Sequence, residues 1–366
     1  MSMNRRKFTL GLAAGLGMLG VGVPSFGANE QWQQTVADAE REGKLVLAGP
    51  VIQSYREALL QFQSAYPKIA VDYNAVTSPV FDARISSERR AHRSVTDVVV
   101  LGFSGAAFNR QIPAHWYDPL RPLIVDPQVL DDSRWLGGFS AGFLDADKTY
   151  LYAFQAGKQN NVDIDRGVVP LGELGKLADL LDSRWKGRIA MLDPRVPGSG
   201  HLVTLLIDKL GADAARRFLT QQKPVIASNN RQLSDWVAQG AYPVTSGLSP
   251  SELAALQAQG LARQVRALEL PPDQTAWTPG WGALGVLHAP PHPNAAKVFV
   301  NWLLSAQAQQ DWARRGFVNS RRTDVKPGLA SSVLSAEAFE KGVSFNTQAN
   351  AQLAEQAYAL AKNVLQ

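Results

Sequence analysis

Short apolar runs alternate with helical stretches in strand–helix–strand order, and this alternation most constrains the fold. Lys44-Leu-Val-Leu-Ala48 is a short buried-strand run. It is followed by Ser54-Tyr-Arg-Glu57, a capping-box pattern of Ser with Glu three residues on. Tyr55, Ala58, Leu59, Phe62 and Tyr66 recur at helical spacing, and Pro67 stops that helix. Ile69, Val71, Tyr73 and Ala75 alternate as a half-buried strand. A polar helix is expected over about 80–93, then a strand at Thr96-Asp-Val-Val-Val-Leu101. This order predicts helices covering a largely parallel sheet.

The pattern restarts further along. Leu177–Leu181 is expected helical, Gly187–Leu192 a strand, and His201–Leu210 a helix with Leu202, Leu205, Leu206 and Leu210 on one side. Val225–Ala227, Tyr242–Thr245 and Gly282–Leu287 read as strands, and Pro293-Asn294 opens a long amphipathic helix. With 366 residues, 45% of them hydrophobic and 19% charged, the chain suits two α/β units, each with its own core. Ligand chemistry is then expected at loops beyond the carboxyl ends of the strands.

Residues 1–27 read as an export signal. Arg5, Arg6 and Lys7 precede a Gly/Ala/Leu/Val run from Leu10 to Val23, then small residues at Ser25 and Gly27. The arginine pair in Asn4-Arg5-Arg6-Lys7-Phe8 resembles the twin-arginine motif. The run falls short of the ~20 apolar residues of a membrane span and is broken by five glycines. Cleavage is expected after Gly27, with Ala28 as the alternative, and a periplasmic location follows. Three of the five net positive charges lie in this segment, which leaves +2 for the rest. That balance gives no nucleic-acid footprint.

No catalytic constellation emerges. The chain has no cysteine, which removes disulfides, thiolate metal sites and cysteine nucleophiles. The five histidines show no metal-ligand spacing, and there is no phosphate-binding P-loop or GxGxxG. Gly102-Phe103-Ser104-Gly105 is not a nucleophile elbow, because its glycine falls one place early. A non-enzyme is expected, with no cofactor and no metal.

Three loops suit binding instead. Pro197-Gly198-Ser199-Gly200 stands before a helix, where Ser199 can cap it while free N–H groups face an anion. Thr245-Ser246-Gly247-Leu248-Ser249 brings three hydroxyls and a glycine between a strand and a helix. Gly102–Gly105 is the matching feature in the first half. Trp277 and Trp281 flank an aromatic turn where the chain recrosses between units, and core packing explains such residues as readily as ligand stacking.

The order of these features resembles the periplasmic solute-binding proteins of ABC importers, in the branch that includes ferric-ion-binding proteins. It is carried by Glu42-Gly-Lys-Leu-Val46, Phe62-x-x-x-Tyr66-Pro67, Thr96-Asp97-Val98 and, most specifically, Leu177 to Ala190 with Asp193-Pro194 and Gly198-Ser199-Gly200. Pro293 to Leu303 and Arg321-Arg-Thr-Asp-Val325 complete it. The resemblance implies the two-lobed type II fold of that family. Each lobe would be a mixed, mostly parallel sheet flanked by helices, and hinge crossover strands would join them. It divides the chain into a signal (1–27), a discontinuous first lobe (28–125 with 277–366) and a second lobe (126–276).

Ferric-binding members carry adjacent tyrosines where this chain reads Tyr242-Pro-Val-Thr-Ser-Gly-Leu-Ser-Pro250, and no Tyr-Tyr pair occurs anywhere in it. Phenolates suit Fe(III); serines, glycine N–H groups and a helix N-terminus favour a small oxyanion such as a phosphonate, phosphate ester or carboxylate. The expected ligand residues are Gln53, Ser54, Phe103, Ser104, Gly105, Ser199, Gly200, Thr245, Ser246, Ser249 and Trp281, with Arg84 or Arg322 as sources of charge. The expected role is that of a monomer handing a small ligand to an inner-membrane ABC permease. An Fe(III)-binding protein, an exported enzyme and a sensory binding subunit are the competing readings.

Overall fold

The computed structural model describes residues 30–103, 105–159, 162–196 and 199–365. The expected signal at 1–27 and Ser104 lie outside the described residues. Helix α1 (Glu30–Glu42) leads into β1 (Lys44–Gly49), α2 (Gln53–Ala65), β2 (Ala70–Ala75), α3 (Ser78–Arg90) and β3 (Val98–Val100). Both β1 and β3 are buried almost throughout. Strands of that kind need helices on both faces of their sheet. Strand β2 is only half-buried because it is the edge strand, paired with β1 alone in parallel from Lys44↔Ala70 to Gly49↔Ala75.

After the one-turn helix α4 (Pro127–Leu130) come β4 (Tyr152–Ala153), β5 (Gly157–Lys158), β6 (Asp163–Asp165) and β7 (Ile189–Leu192). They are followed by α5 (His201–Leu210), α6 (Ala212–Gln221), β8 (Val225–Ala227), α7 (Asn230–Ala238), β9 (Val244–Ser246), α8 (Pro250–Ala258) and β10 (Val265–Ala267). The remaining elements are β11 (Trp277–Thr278), β12 (Ala283–Val286), α9 (Pro293–Leu303), α10 (Ala306–Gly316), α11 (Ala336–Lys341) and α12 (Ala351–Val364). The expected helix at Leu177–Leu181 is a 3-10 turn.

Two five-stranded sheets result, in the orders β2-β1-β3-β12-β4 and β10-β6-β9-β7-β8. Each contains one strand antiparallel to both neighbours, β12 in the first and β6 in the second. Each of these is the first strand of its sheet reached after a crossing. Strand β6 follows β5, β12 follows β11, and β5 and β11 pair antiparallel as the two-stranded ribbon of the crossover. The architecture is α/β and two-lobed, with mixed sheets flanked by helices.

The first crossing differs from the expected division at 125/126, and the end of the chain leaves the first lobe. Residues 126–154 stay with the first sheet, because Val129, Trp135, Phe139, Phe143, Tyr152 and Phe154 bury in its aromatic core beside Phe62, Phe299 and Trp302. The chain crosses at β5 and returns at β11, and then α12 goes back to the second lobe. There its Ala357, Leu360 and Ala361 join the Leu-rich core built on α5 and β7. Apolar burial sets these boundaries, and no composition break marks them.

Asp163 of β6 stands in register with Thr245 of β9 and is 2% exposed. Its Oδ1 has no hydrogen-bond partner among the described residues, and burial pushes its pKa up to about 7. The unfolded chain titrates this carboxyl near its ordinary 3.8. Between 3.8 and 7 the folded state keeps a proton that the unfolded state has released, so its contribution to stability falls as pH rises through that window. Relative to wild type, Asp163→Asn is expected to gain about 2 kcal/mol on going from pH 5 to pH 7. Urea denaturation of both proteins at the two pH values measures this, and an unchanged difference contradicts it.

Candidate functional site

Strands β1, β7, β8 and β9 all point their carboxyl ends toward one cavity of about 850 Å³. The first lobe contributes Ile52, Ser54 and Tyr55 at the start of α2, and Phe317, Val318 and Asn319 just after α10. The crossover supplies the floor, with Gln155, Gly157, Lys158, Gln159 and Thr278. On the second lobe lie Leu192, Val196, Ser199 and His201, together with Ser246 to Pro250, Asn230 and Glu252. This is the ligand position expected for parallel α/β units.

Four helices, α2, α5, α7 and α8, meet this cavity with their N-terminal residues. Such ends carry N–H groups without intrahelical partners and the positive pole of the helix dipole. Two are capped from within: the Asn229 side chain accepts from Gln232 N on α7, and Ser249 with Glu252 forms a full capping box on α8. The other two, one from each lobe, have no capping side chain; their N-caps are Ile52 for α2 and Gly200 for α5. The Ser54…Glu57 box expected from the sequence does not form, because α2 begins two residues earlier, at Gln53. Ser54 then falls inside the first turn, where it lines the cavity, and the Gln53 amide donates to Glu57 Oε1 at 2.9 Å instead.

Of the residues expected to bind ligand, Ser54, Ser199, Ser246 and Ser249 come together in this lining. Ser199 does not cap α5; its hydroxyl donates back to the carbonyls of Asp193 and Val196. Thr245 is buried beside Ser246 and misses the cavity, since adjacent strand residues face opposite ways. Gln53, Gly105 and Gly200 also lie outside the lining. Phe103 is buried edge-on against Tyr117, with ring centroids 6.0 Å apart, and Trp281 packs between two core clusters of the first lobe. Both aromatics serve packing.

Charge comes from a residue the sequence reading missed. Lys158, on the crossover strand, is the one Lys or Arg side chain in the lining among the described residues. Its Nζ meets Glu269 Oε2 at 2.6 Å, and that glutamate is well exposed. Arg84 is engaged with Glu88 and Asn74, and Arg322 is buried in a two-pronged pair with Asp324, so neither faces the cavity. Glu252 is the one carboxylate in the lining. Both its oxygens are occupied, Oε1 by Asn230 Nδ2 at 2.9 Å and Oε2 by Ser249 N at 2.8 Å.

Thr278 and Asn319 shape the walls. Thr278 Oγ1 donates to Asn346 Oδ1 at 3.1 Å, and the Asn319 amide exchanges hydrogen bonds with the backbone of Leu329. The tyrosine of the lining, Tyr55, stacks on Trp312 at 4.6 Å, and burial pushes its hydroxyl up to about 12. Among the described residues no group of three or more His, Cys, Asp or Glu is arranged to hold a metal ion.

Residues 153–318 match the family model described as bacterial extracellular solute-binding protein. That stretch carries the floor, the second-lobe wall and Phe317. Solved structures resemble the chain over most of its length. A Trichodesmium protein (IdiA, FutA) solved with iron and citrate has a TM-score of 0.65 at 18% identity, covering 88% of this chain and 99% of that one. An ABC transporter protein of Clostridium perfringens has a TM-score of 0.65 at 14% identity, covering 88% and 100%. The Atu4243-GABA receptor has a TM-score of 0.60 at 18% identity, covering 87% and 97%. The fold is that of the periplasmic solute-binding proteins. The resemblance read from the sequence is thus borne out. Among curated protein sequences nothing matches. Among the described residues no helix is long and apolar enough to cross a membrane.

Proposed function

We propose that this chain is the exported substrate-binding component of an ABC uptake system. It captures a small organic anion, a phosphonate, phosphate ester or carboxylate, by hinge closure about β5 and β11. The observation that carries this reading is the pair of uncapped helix N-termini, α2 and α5, one on each side of a cavity with Lys158 at its floor. An oxyanion bridging the two lobes would satisfy N–H groups from both and hold the closed state. Ser54 and Ser246 supply hydroxyls around it. The single carboxylate of the lining is already committed to α8 and Asn230, so it does not repel the ligand at short range.

The related folds set the alternative. The Trichodesmium protein was solved with iron, whereas the GABA receptor is named for a ligand that carries a carboxylate. Here the loop that would carry the tyrosine pair offers Ser246 and Ser249. These donors favour the organic anion. Export by the twin-arginine route, cleavage after residue 27, a monomeric state and delivery to an inner-membrane permease belong to the same proposal.

The test is calorimetry on the mature chain, stripped of bound solute by unfolding and refolding. Methylphosphonate, glycerol 3-phosphate, acetate and ferric citrate would be the titrants. Binding of an organic anion with a matching rise in Tm is expected. Tight Fe(III) binding with no response to any of the organic anions overturns the reading.

A further inference from the structure

We infer that the solute carries an apolar, ring-sized body, gripped by Phe317 and Ile52 on one lobe and Val196 on the other; this rests on the anion reading above. Phe317 stands at the C-cap of α10 in the left-handed region, at φ 52° and ψ 49°. That position favours glycine or asparagine, and a bulky residue there is a true outlier. Phe317 is nevertheless 69% exposed, with its side chain lining the cavity.

Ile52 breaks a second local rule in the same cavity. It occupies the N-cap of α2, a place that Ser, Thr, Asp or Asn stabilise and Ile does not, and it is 40% exposed. Val196, 50% exposed, stands on the opposite wall in the loop after β7. Two positions where backbone chemistry asks for a small or polar residue therefore carry large apolar ones, both turned toward the same space. Local rules are broken in this way chiefly at functional sites.

Size agrees with chemistry. A cavity of about 850 Å³ is far larger than a bare phosphate or carboxylate requires and suits a ligand with an organic body. Both walls carry polar and apolar groups: Ser54 stands beside Ile52 on the first lobe, and Val196 and Leu248 stand beside the serines on the second. An anionic head would dock between the N-termini of α2 and α5 while a ring packs on Phe317 as the lobes close.

The test compares phenylphosphonate with methylphosphonate, and benzoate with acetate, by calorimetry on the mature protein and on Phe317→Ala. Wild type is expected to bind the phenyl member of each pair at least about tenfold more tightly. Phe317→Ala is expected to lose about tenfold for the phenyl ligands and to leave methylphosphonate within about threefold. Phe317→Gly controls for folding: it relieves the left-handed strain, so its Tm should equal or exceed that of wild type while it loses the same preference. Equal affinity for phenyl and methyl ligands overturns the inference and leaves the anion reading standing. An equal loss for both ligands in Phe317→Ala also overturns it and marks a lobe–lobe contact. Binding of none of the four overturns both.

Discussion

Lys158→Glu is expected to weaken binding of methylphosphonate at least about 100-fold, or about 3 kcal/mol. A unit charge about 4 Å from an anion contributes up to roughly 4 kcal/mol at the effective dielectric of a protein surface, and reversal turns that attraction into repulsion. Lys158 is half-buried on the floor formed by the crossover, where solvent screens it less than an open surface would. Its present partner, Glu269, is an exposed carboxylate, and pairs of that kind contribute about 0–1 kcal/mol to stability. The substitution should therefore shift Tm by only a few degrees while removing affinity. Lys158→Met, which deletes the charge without reversing it, should fall between, near a tenfold loss. Calorimetry at low and physiological salt separates the effects, since the wild-type advantage should shrink as salt rises. Wild-type affinity in Lys158→Glu would exclude the crossover lysine from the anion site.

Arg321→Ala is expected to cost about 3–5 kcal/mol of stability and to lower Tm by roughly 10 °C. Arg321 is fully buried in the first lobe, and no carboxylate lies among its described partners. Its Nη2 donates to the carbonyls of Leu136 and Gly138 at 2.6 and 2.8 Å, and Nη1 donates to the carbonyl of Ala153 at 3.1 Å. The guanidinium lies among the rings of Trp135, Tyr152 and Phe339, with centroids 5.1–5.8 Å away. Burial lowers its pKa, and the three carbonyls with the Tyr152 hydroxyl stand in for the missing counterion. Truncation would orphan these acceptors and open a void at the point where the loop 136–138, β4 and the chain after α10 are tied together. Arg321→Lys should also lose more than half of that stability, because an ammonium cannot span the fork between Leu136 and Ala153. Thermal unfolding of both variants decides this. A Tm within 2–3 °C of wild type for Arg321→Ala would show that the carbonyls find other partners.

Much of the fold was legible because its signals are local. The runs at 44–48 and 96–101 carry consecutive apolar residues, which strands covered on both faces tolerate, and strands form there at 44–49 and 98–100. The loop that ends at Ser249 leads into a helix as expected, and there Ser249 and Glu252 close both halves of a capping box. The same pattern at Ser54 and Glu57 does not form a box, because α2 extends two residues further back and leaves Ile52 as its cap. Local propensity alone cannot choose between two starts two residues apart. Phe317 left no signal as a ligand residue: nothing in Gly316-Phe317-Val318 announces that phenylalanine will take the conformation glycine usually takes.

The sequence by itself determined the α/β alternation, the two cores and the hydroxyl-bearing loops beyond the strands, since periodicity and capping act over a few residues. Tertiary structure decided which of those residues meet. Ile52, Lys158, Ser199, Ser246 and Phe317 line one cavity although long stretches of chain separate them, so no short-range pattern encodes their proximity. Tertiary structure also decided that Ser246 faces the cavity while its neighbour Thr245 does not, a choice set by the pleat and register of β9 against β7. The lobe boundaries follow the same logic: the aromatic side chains of 126–154 and the apolar stripe of α12 go wherever they bury most surface. The hydrophobic effect that drives this carries no marker of sequence position.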